Sequence, residues 1–215
     1  MPASYVFTKM IRDEMKKLSK SVSLLVFIDK INDHQNYDYT RSILKVYEEN
    51  SNGMLTINEI QIGHNKELEH KYDIQQVPTI LFIDNNGNEI IRYLAAPQGS
   101  EVQPFIQAIL IFAGSPNYYE KAIKKNLERI KPSTIKVLIT NSCAFCPQVV
   151  DIVSKFALAS SGKIKAEIID IKENPDIGQQ YNACSVPYTL INENKLIDGM
   201  CAPEEILEAL IGETI

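Results

Sequence analysis

The sequence predicts an α/β protein built from two tandem copies of one βαβαββα unit, each a mixed central sheet flanked by helices. Three observations carry this. Apolar strand-like runs alternate with amphipathic helical stretches along the whole chain. Tyr72-Asp73-Ile74-Gln75-Gln76-Val77-Pro78 parallels Tyr181-Asn182-Ala183-Cys184-Ser185-Val186-Pro187, 109 residues later. The length, 215 residues, suits two units of roughly 100 residues, each with its own small core. The expected division is residues 1–115 and 116–215.

In the first unit, Val6, Met10, Ile11, Met15 and Leu18 recur at about 3.6-residue spacing, so residues 5–18 read as a helix. Val22 to Ile28 reads as a buried strand. Ile43, Leu44, Val46 and Tyr47 mark the next helix, and Met54 to Ile62 alternates as a strand does. Thr79 to Asp84 and Glu89 to Leu94 are joined through Asn85-Asn86-Gly87-Asn88, a hairpin signal. Val102 to Phe112 closes the unit as a helix. Gly114-Ser115-Pro116 marks the boundary, with Ser115 expected as a helix N-cap and Pro116 at the first helical position.

The second unit repeats the order. A helix is expected over 118–130, a strand over 135–140, a helix from Cys146 and a strand over 164–171. A short helix over 176–181, strands 188–191 and 195–198 and a helix over 204–211 follow.

Cys143-Ala144-Phe145-Cys146 sits in the turn between the strand ending near Thr140 and the helix carrying Val149, Val150, Ile152, Val153 and Phe156. Two cysteines separated by two residues at a strand-to-helix turn read as a dithiol/disulfide pair. A helix N-terminus favours negative charge through its unpaired N–H groups and its dipole, which lowers a thiol pKa. Cys143, at the turn, is expected to be the exposed nucleophile, and Cys146, one turn in, the shielded resolving thiol. Pro147 fits because the first helical turn needs no N–H from it. A cis bond before Pro187 would turn the N–H and C=O groups of Val186 toward the pair, able to bind an extended substrate. The alternative is that Pro187 only shapes a turn.

The competing chemistry is zinc, but Cys184 and Cys201 form no second C-x-x-C, and His34, His64 and His70 share no ligand spacing. Cys184, three residues before Pro187, is expected to be a buried cysteine acting as a small apolar residue, the alternative being that it lies near the pair and is oxidised with it; Cys201 is expected to offer surface reactivity at most. No metal and no dissociable cofactor is expected; the redox group is the Cys143–Cys146 disulfide itself.

Hydrophobic content of 45%, charged content of 23% and a net charge of −5 describe an ordinary globular protein. They give no reason to expect nucleic acid or an anionic membrane as partner. The apolar stretch from Phe105 to Ala113 is too short to span a bilayer. Met1-Pro2-Ala3-Ser4-Tyr5 has no basic flank or apolar core of a leader, so a cytoplasmic location is expected. Thiols there are kept reduced, which favours a catalytic over a structural C-x-x-C.

The tandem arrangement, Cys143-Ala144-Phe145-Cys146-Pro147, Lys155-Phe156-Ala157-Leu158, Asn174-Pro175, Gln180-Tyr181-Asn182 and Val186-Pro187 resemble the archaeal-type protein disulfide oxidoreductases, glutaredoxin-like proteins of two thioredoxin-fold units. The resemblance implies thiol–disulfide oxidoreductase activity on protein disulfides and re-reduction by a thioredoxin-reductase-like flavoprotein. Two departures stand out. The family usually carries C-x-x-C in both units, whereas the first unit here reads His34-Gln35-Asn36-Tyr37 and is expected to be redox-inert. The pair between the cysteines is Ala-Phe rather than Pro-Tyr.

A cysteine-free unit followed by a C-x-x-C-P unit also resembles the N-terminal domain of the bacterial alkyl hydroperoxide reductase flavoprotein. That resemblance implies an electron relay between a flavoprotein reductase and a peroxiredoxin. A third alternative is a non-enzymatic module binding peptides at the two Val-Pro grooves. Thioredoxins proper hold a buried acid six residues before the first cysteine. Val137 stands there, and Glu167 on the neighbouring strand is the substitute candidate, against a plainer reading as a solvated strand-edge carboxylate.

Overall fold

The computed structural model describes residues 5–32 and 34–212. Residues 1–4, on which the expectation about a leader rests, and the side chains of Tyr5, His34, Gln35 and Asn36 lie outside the description.

The first half of the chain forms α1 (Tyr5–Met15), β1 (Val22–Ile28), α2 (His34–Glu49), β2 (Leu55–Gln61), α3 (Lys66–Lys71), β3 (Thr79–Ile83), β4 (Glu89–Leu94), a 3-10 turn (Gly99–Glu101) and α4 (Val102–Phe112). The second half forms α5 (Glu120–Asn126), β5 (Ser133–Ile139), α6 (Cys146–Ala159), β6 (Ile164–Asp170), α7 (Pro175–Gln180), β7 (Tyr188–Ile191), β8 (Lys195–Asp198) and α8 (Pro203–Ile211). The 109-residue repeat is structural: β2 and β6, α3 and α7, and β3 and β7 begin at that spacing. So do Asp73 and Asn182, both in the left-handed region after their short helices.

Among the described residues, the eight strands join one sheet in the order β2-β1-β3-β4-β6-β5-β7-β8. Each half contributes four strands in the same internal order. The halves meet where β4 pairs parallel with β6, from Ile91 opposite Ala166 to Leu94 opposite Ile169. Each half thus covers a sheet edge of the other, which removes an unpaired row of backbone groups.

Alternation along the strands splits the core into two layers. On one face, Leu24, Val26, Phe82, Tyr93, Val137, Ile139 and Ile168 pack with residues of α1, α2, α4, α5, α6 and α8 in one continuous cluster. On the other, Phe27 and Leu81 pack with α3, and Leu138 and Ile169 with α7. Closing helix α4 of the first half lies against α6 of the second.

Local chemistry explains most element ends. In the β3–β4 hairpin, Asp84 Oδ1 accepts from the N–H groups of Asn86 (2.9 Å) and Asn88 (2.8 Å), and Gly87 takes φ of +78°. Helix α3, which the sequence did not reveal directly, is capped by Asn65, whose side chain accepts from Leu68 N–H at 3.1 Å. The expected cap at Ser115-Pro116 is corrected. Gly114 (φ +98°) and Ser115 instead end α4, their N–H groups bonding Ile111 O and Leu110 O. The next helix starts only at Glu120, because Asn117 turns the chain: its Oδ1 accepts from Tyr119 N–H (3.0 Å) and its Nδ2 donates to Lys155 O (2.7 Å).

Candidate active site

Cys143 and Cys146 form a disulfide, with their Cα atoms 5.5 Å apart, at the N-terminus of α6. Cys143 is half-buried and Cys146 fully buried, while Phe145 between them is 57% exposed. No side chain caps α6 at Phe145. The sulfur of Cys143 fills that place, accepting the Cys146 N–H at 3.0 Å. A thiolate at this sulfur would keep the same donor and the favourable end of the helix dipole.

Val186 and Pro187 stand beside the pair. The Val77–Pro78 and Val186–Pro187 bonds are both cis, and the Val186 carbonyl oxygen lies 3.7 Å from Cys143 Sγ. Gly199 N–H donates to Pro187 O at 3.0 Å, so exposed Met200 follows directly on the residue tied to the cis-proline loop.

In the first unit, Tyr37 occupies the place matching Cys146. Its hydroxyl donates to Glu59 Oε2 at 3.4 Å, and the Lys30 ammonium sits 5.2 Å from its ring centroid. Lys30 and Arg41 both pair with Glu59. A phenol hydrogen-bonded to an ion-paired carboxylate stands where a thiol would be.

Other expectations are corrected. Cys184 is exposed rather than buried, because it lies on the loop before Pro187, with its thiol 3.5 Å from Asn182 O. Cys201 is buried rather than at the surface, and burial, with Glu205 nearby, pushes its thiol up to about 11. Glu167 is no strand-edge residue: β6 runs between β4 and β5. It pairs with Lys165 (3.1 Å) and Lys136 (3.8 Å). It also alternates with Ile168, so it faces the α7 side while Cys146 lies on the α6 side. Among the described residues, no three His, Cys, Asp or Glu side chains cluster to hold a metal.

The acids near the site are ones the sequence reading missed. Glu101, at the end of the 3-10 turn that packs against α6, is fully buried with neither carboxyl oxygen partnered. Burial, reinforced by Asp170, pushes it up to about 8. Glu173 is pushed up to about 7, mainly by burial, against the hydrogen bonds from Ala96 and Asn141 that favour its ionised form. Asp170 Oδ2 accepts from Asn141 N–H at 2.9 Å, and the backbone oxygen of Asn141 accepts from Ser100 Oγ at 3.0 Å. Gly99 permits that approach: a Cβ on it would stand 2.8 Å from Asn141 O. A cleft of about 360 Å³ lined by Gln98, Gly99, Asn141, Ser142, Asp170 and Lys172 opens beside this loop.

Residues 133–212 match the family described as a thioredoxin domain. A thioredoxin domain with a C-x-x-C disulfide at the start of its first helix decides the class. The chain is a thiol–disulfide oxidoreductase. Its whole architecture is that of tandem thioredoxin folds. A protein disulfide oxidoreductase from Aeropyrum pernix K1 superposes with a TM-score of 0.86 at 26% identity, covering 97% of this chain and 92% of that one. The alkylhydroperoxide reductase AhpF of Enterococcus faecalis gives 0.85 at 25% identity, over 98% of this chain and 100% of that one. The separate N-terminal domain of the same Enterococcus protein gives 0.83 at 26%, over 95% and 98%. No curated protein matches the sequence. The resemblance read from Cys143 to Pro187 is borne out in these structural matches to the disulfide oxidoreductase and to AhpF.

Proposed function

We propose that this oxidoreductase acts on protein disulfides through a Cys143/Cys146 dithiol–disulfide cycle. The Cys143 thiolate attacks one sulfur of a substrate disulfide, and the other substrate sulfur leaves as a thiolate and takes up a proton. The Cys146 thiolate then attacks Cys143 Sγ, expelling the second substrate sulfur and closing the intramolecular disulfide. The substrate gains two electrons and the enzyme loses two. The observation that carries this reading is the Cys146 N–H bonded to the sulfur of a partly buried Cys143, with Cys146 itself sealed in the core.

Val186 and Pro187 supply the substrate edge in this reading, since a backbone carbonyl beside the nucleophile suits pairing with an extended chain. We assign to Glu101 the proton exchange that Cys146 needs: it is an unpartnered carboxyl, raised toward a thiol's range, on the turn packed against α6. The disulfide is the redox group, so no dissociable cofactor is required. The first unit, residues 1–115, is redox-inert, because His34 and Tyr37 replace both sulfurs; residues 116–215 hold the chemistry.

A second reading is favoured by the match to the alkylhydroperoxide reductase AhpF: electron transport from a thioredoxin-reductase-like flavoprotein to a peroxiredoxin. A role in redox homeostasis of the cytoplasm fits either reading. Among the described residues no helix is long and apolar enough to cross a membrane, and the net charge of −5 gives no footing for nucleic acid. Insulin reduction driven by dithiothreitol, then by a flavoprotein reductase with and without a peroxiredoxin, tests both. Turnover of insulin with dithiothreitol supports the first reading; electron delivery to the peroxiredoxin alone supports the second.

A further inference from the structure

The loop carrying Cys143 is fastened from outside its own strand and helix. Asn141, two residues before the cysteine, donates from Nδ2 to Glu173 Oε1 at 3.1 Å. The other oxygen of the same carboxyl, Oε2, accepts the backbone N–H of Ala96 at 2.9 Å. Ala96 belongs to the first unit, just past β4, and is fully buried. The next residue after Glu173, Asn174, donates from its side chain to Leu94 O at 2.8 Å. Tyr47 of α2 holds the same first-unit segment by donating to Pro97 O at 2.7 Å. One carboxyl group thus bridges a rigid backbone site of the first unit and the side chain that steadies the cysteine loop.

We infer that Glu173 is a positioning residue: through Asn141 it clamps the Cys143 loop to the first unit, so that the cysteine-free unit helps set the reactivity of the thiol. The clamp rests on the reading of Cys143 as nucleophile. Its effect runs through geometry. The Cys143 sulfur is held against the Cys146 N–H by the placement of residues 141–143, and a loosened loop weakens that bond and with it the thiolate. A carboxylate acting only by its charge would do the opposite, since removing a negative charge favours a nearby thiolate.

The opposite signs make the test. In the full-length reduced protein, iodoacetamide alkylation of Cys143 is followed against pH for wild type, Glu173→Ala, Glu173→Gln, Asn141→Ala and the Glu173→Ala/Asn141→Ala pair. Folding is checked by circular dichroism and melting. Glu173→Ala and Asn141→Ala should each slow alkylation at neutral pH by about fivefold and move the profile to higher pH. The double variant should be no slower than Glu173→Ala, as expected of two residues acting through one contact. Glu173→Gln, which can still accept one of the two hydrogen bonds, should fall between. Faster alkylation in both Glu173 variants with Asn141→Ala unchanged would reduce the effect to charge and overturn the clamp. So would unchanged profiles in proteins that merely melt earlier. If Glu173→Ala fails to fold, Asn141→Ala decides alone, because it leaves the Glu173–Ala96 bond intact. Peptide masses showing Cys146 alkylated first in wild type would instead overturn the nucleophile assignment, before any variant is compared.

Discussion

The backbone N–H of Cys146 donates to the sulfur of Cys143 at 3.0 Å, so the second cysteine stabilises the first before any substrate arrives. The two cysteines differ in access as well, Cys143 partly buried and Cys146 sealed in the core. Cys143→Ser should abolish disulfide reduction, while Cys146→Ser should still attack and then stall, accumulating a mixed disulfide with substrate. Non-reducing electrophoresis after incubation with insulin reads both outcomes. Retained turnover in Cys143→Ser would sink the mechanism.

Glu101 should make the fold less stable as pH rises. Its folded-state pKa is raised from 4.5 to about 8, so between these values the folded chain holds a proton that the unfolded chain has lost. The contribution is most favourable below about pH 4.5, falls by about 1.4 kcal/mol per unit across the window, and levels off above about pH 8. Glu173, raised to about 7, works in the same direction over a narrower span. Glu101→Gln should therefore melt at a higher temperature than wild type at pH 8 and near the wild-type value at pH 4.5. A uniform shift at all pH values would contradict the buried-acid account.

The same substitution separates stability from chemistry. If Glu101 exchanges the proton of Cys146, Glu101→Gln should slow closure of the mixed disulfide while leaving the initial attack by Cys143 unchanged. Stopped-flow mixing with a small aromatic disulfide, whose first step releases a coloured thiolate, resolves the two phases. Equal slowing of both phases would remove Glu101 from the proton path.

Of the two cysteines outside the pair, only Cys184 should react at mild alkaline pH. It is exposed, whereas burial has pushed Cys201 up to about 11 and left it mostly protonated. With the Cys143–Cys146 disulfide kept oxidised, iodoacetamide at pH 8 should modify Cys184 and leave Cys201 intact, as read by peptide mass. Comparable labelling of both would contradict the burial of Cys201.

Residues 116–215 expressed alone should fold poorly. Separation bares the β6 edge that pairs with β4 and the face of α6 that packs on α4, and an unpaired edge beside exposed apolar surface favours aggregation. The measurement is solubility and unfolding cooperativity of the fragment against the full chain. A monomeric fragment melting as the full chain does would show that the joint contributes little.

The Cys143–Cys146 pair at a strand-to-helix turn and the Val186-Pro187 step before a strand were legible because both are local patterns that need only short-range spacing to be recognised. The hairpin at Asn85-Asn86-Gly87-Asn88 was legible for the same reason. Ser115-Pro116 misled because a cap and a first-turn proline look alike whether they begin a helix or trail one; Asn117, bonded across to Lys155, decided where α5 starts. Glu167 misled because neighbouring strands do not tell which face a residue takes.

The sequence by itself determined the two repeats, most elements of each and the redox pair, since these are written in periodicities and motifs a few residues long, while the short helix α3 was not legible. Only the tertiary structure decided that the repeats share one eight-stranded sheet, with β4 against β6. That pairing brings Ala96 beside Glu173 and Ser100 beside Asn141, two residues before Cys143. An acid in a sequence is a surface residue by default; burial against segments far off along the chain raises its pKa, as at Glu101 and Glu173.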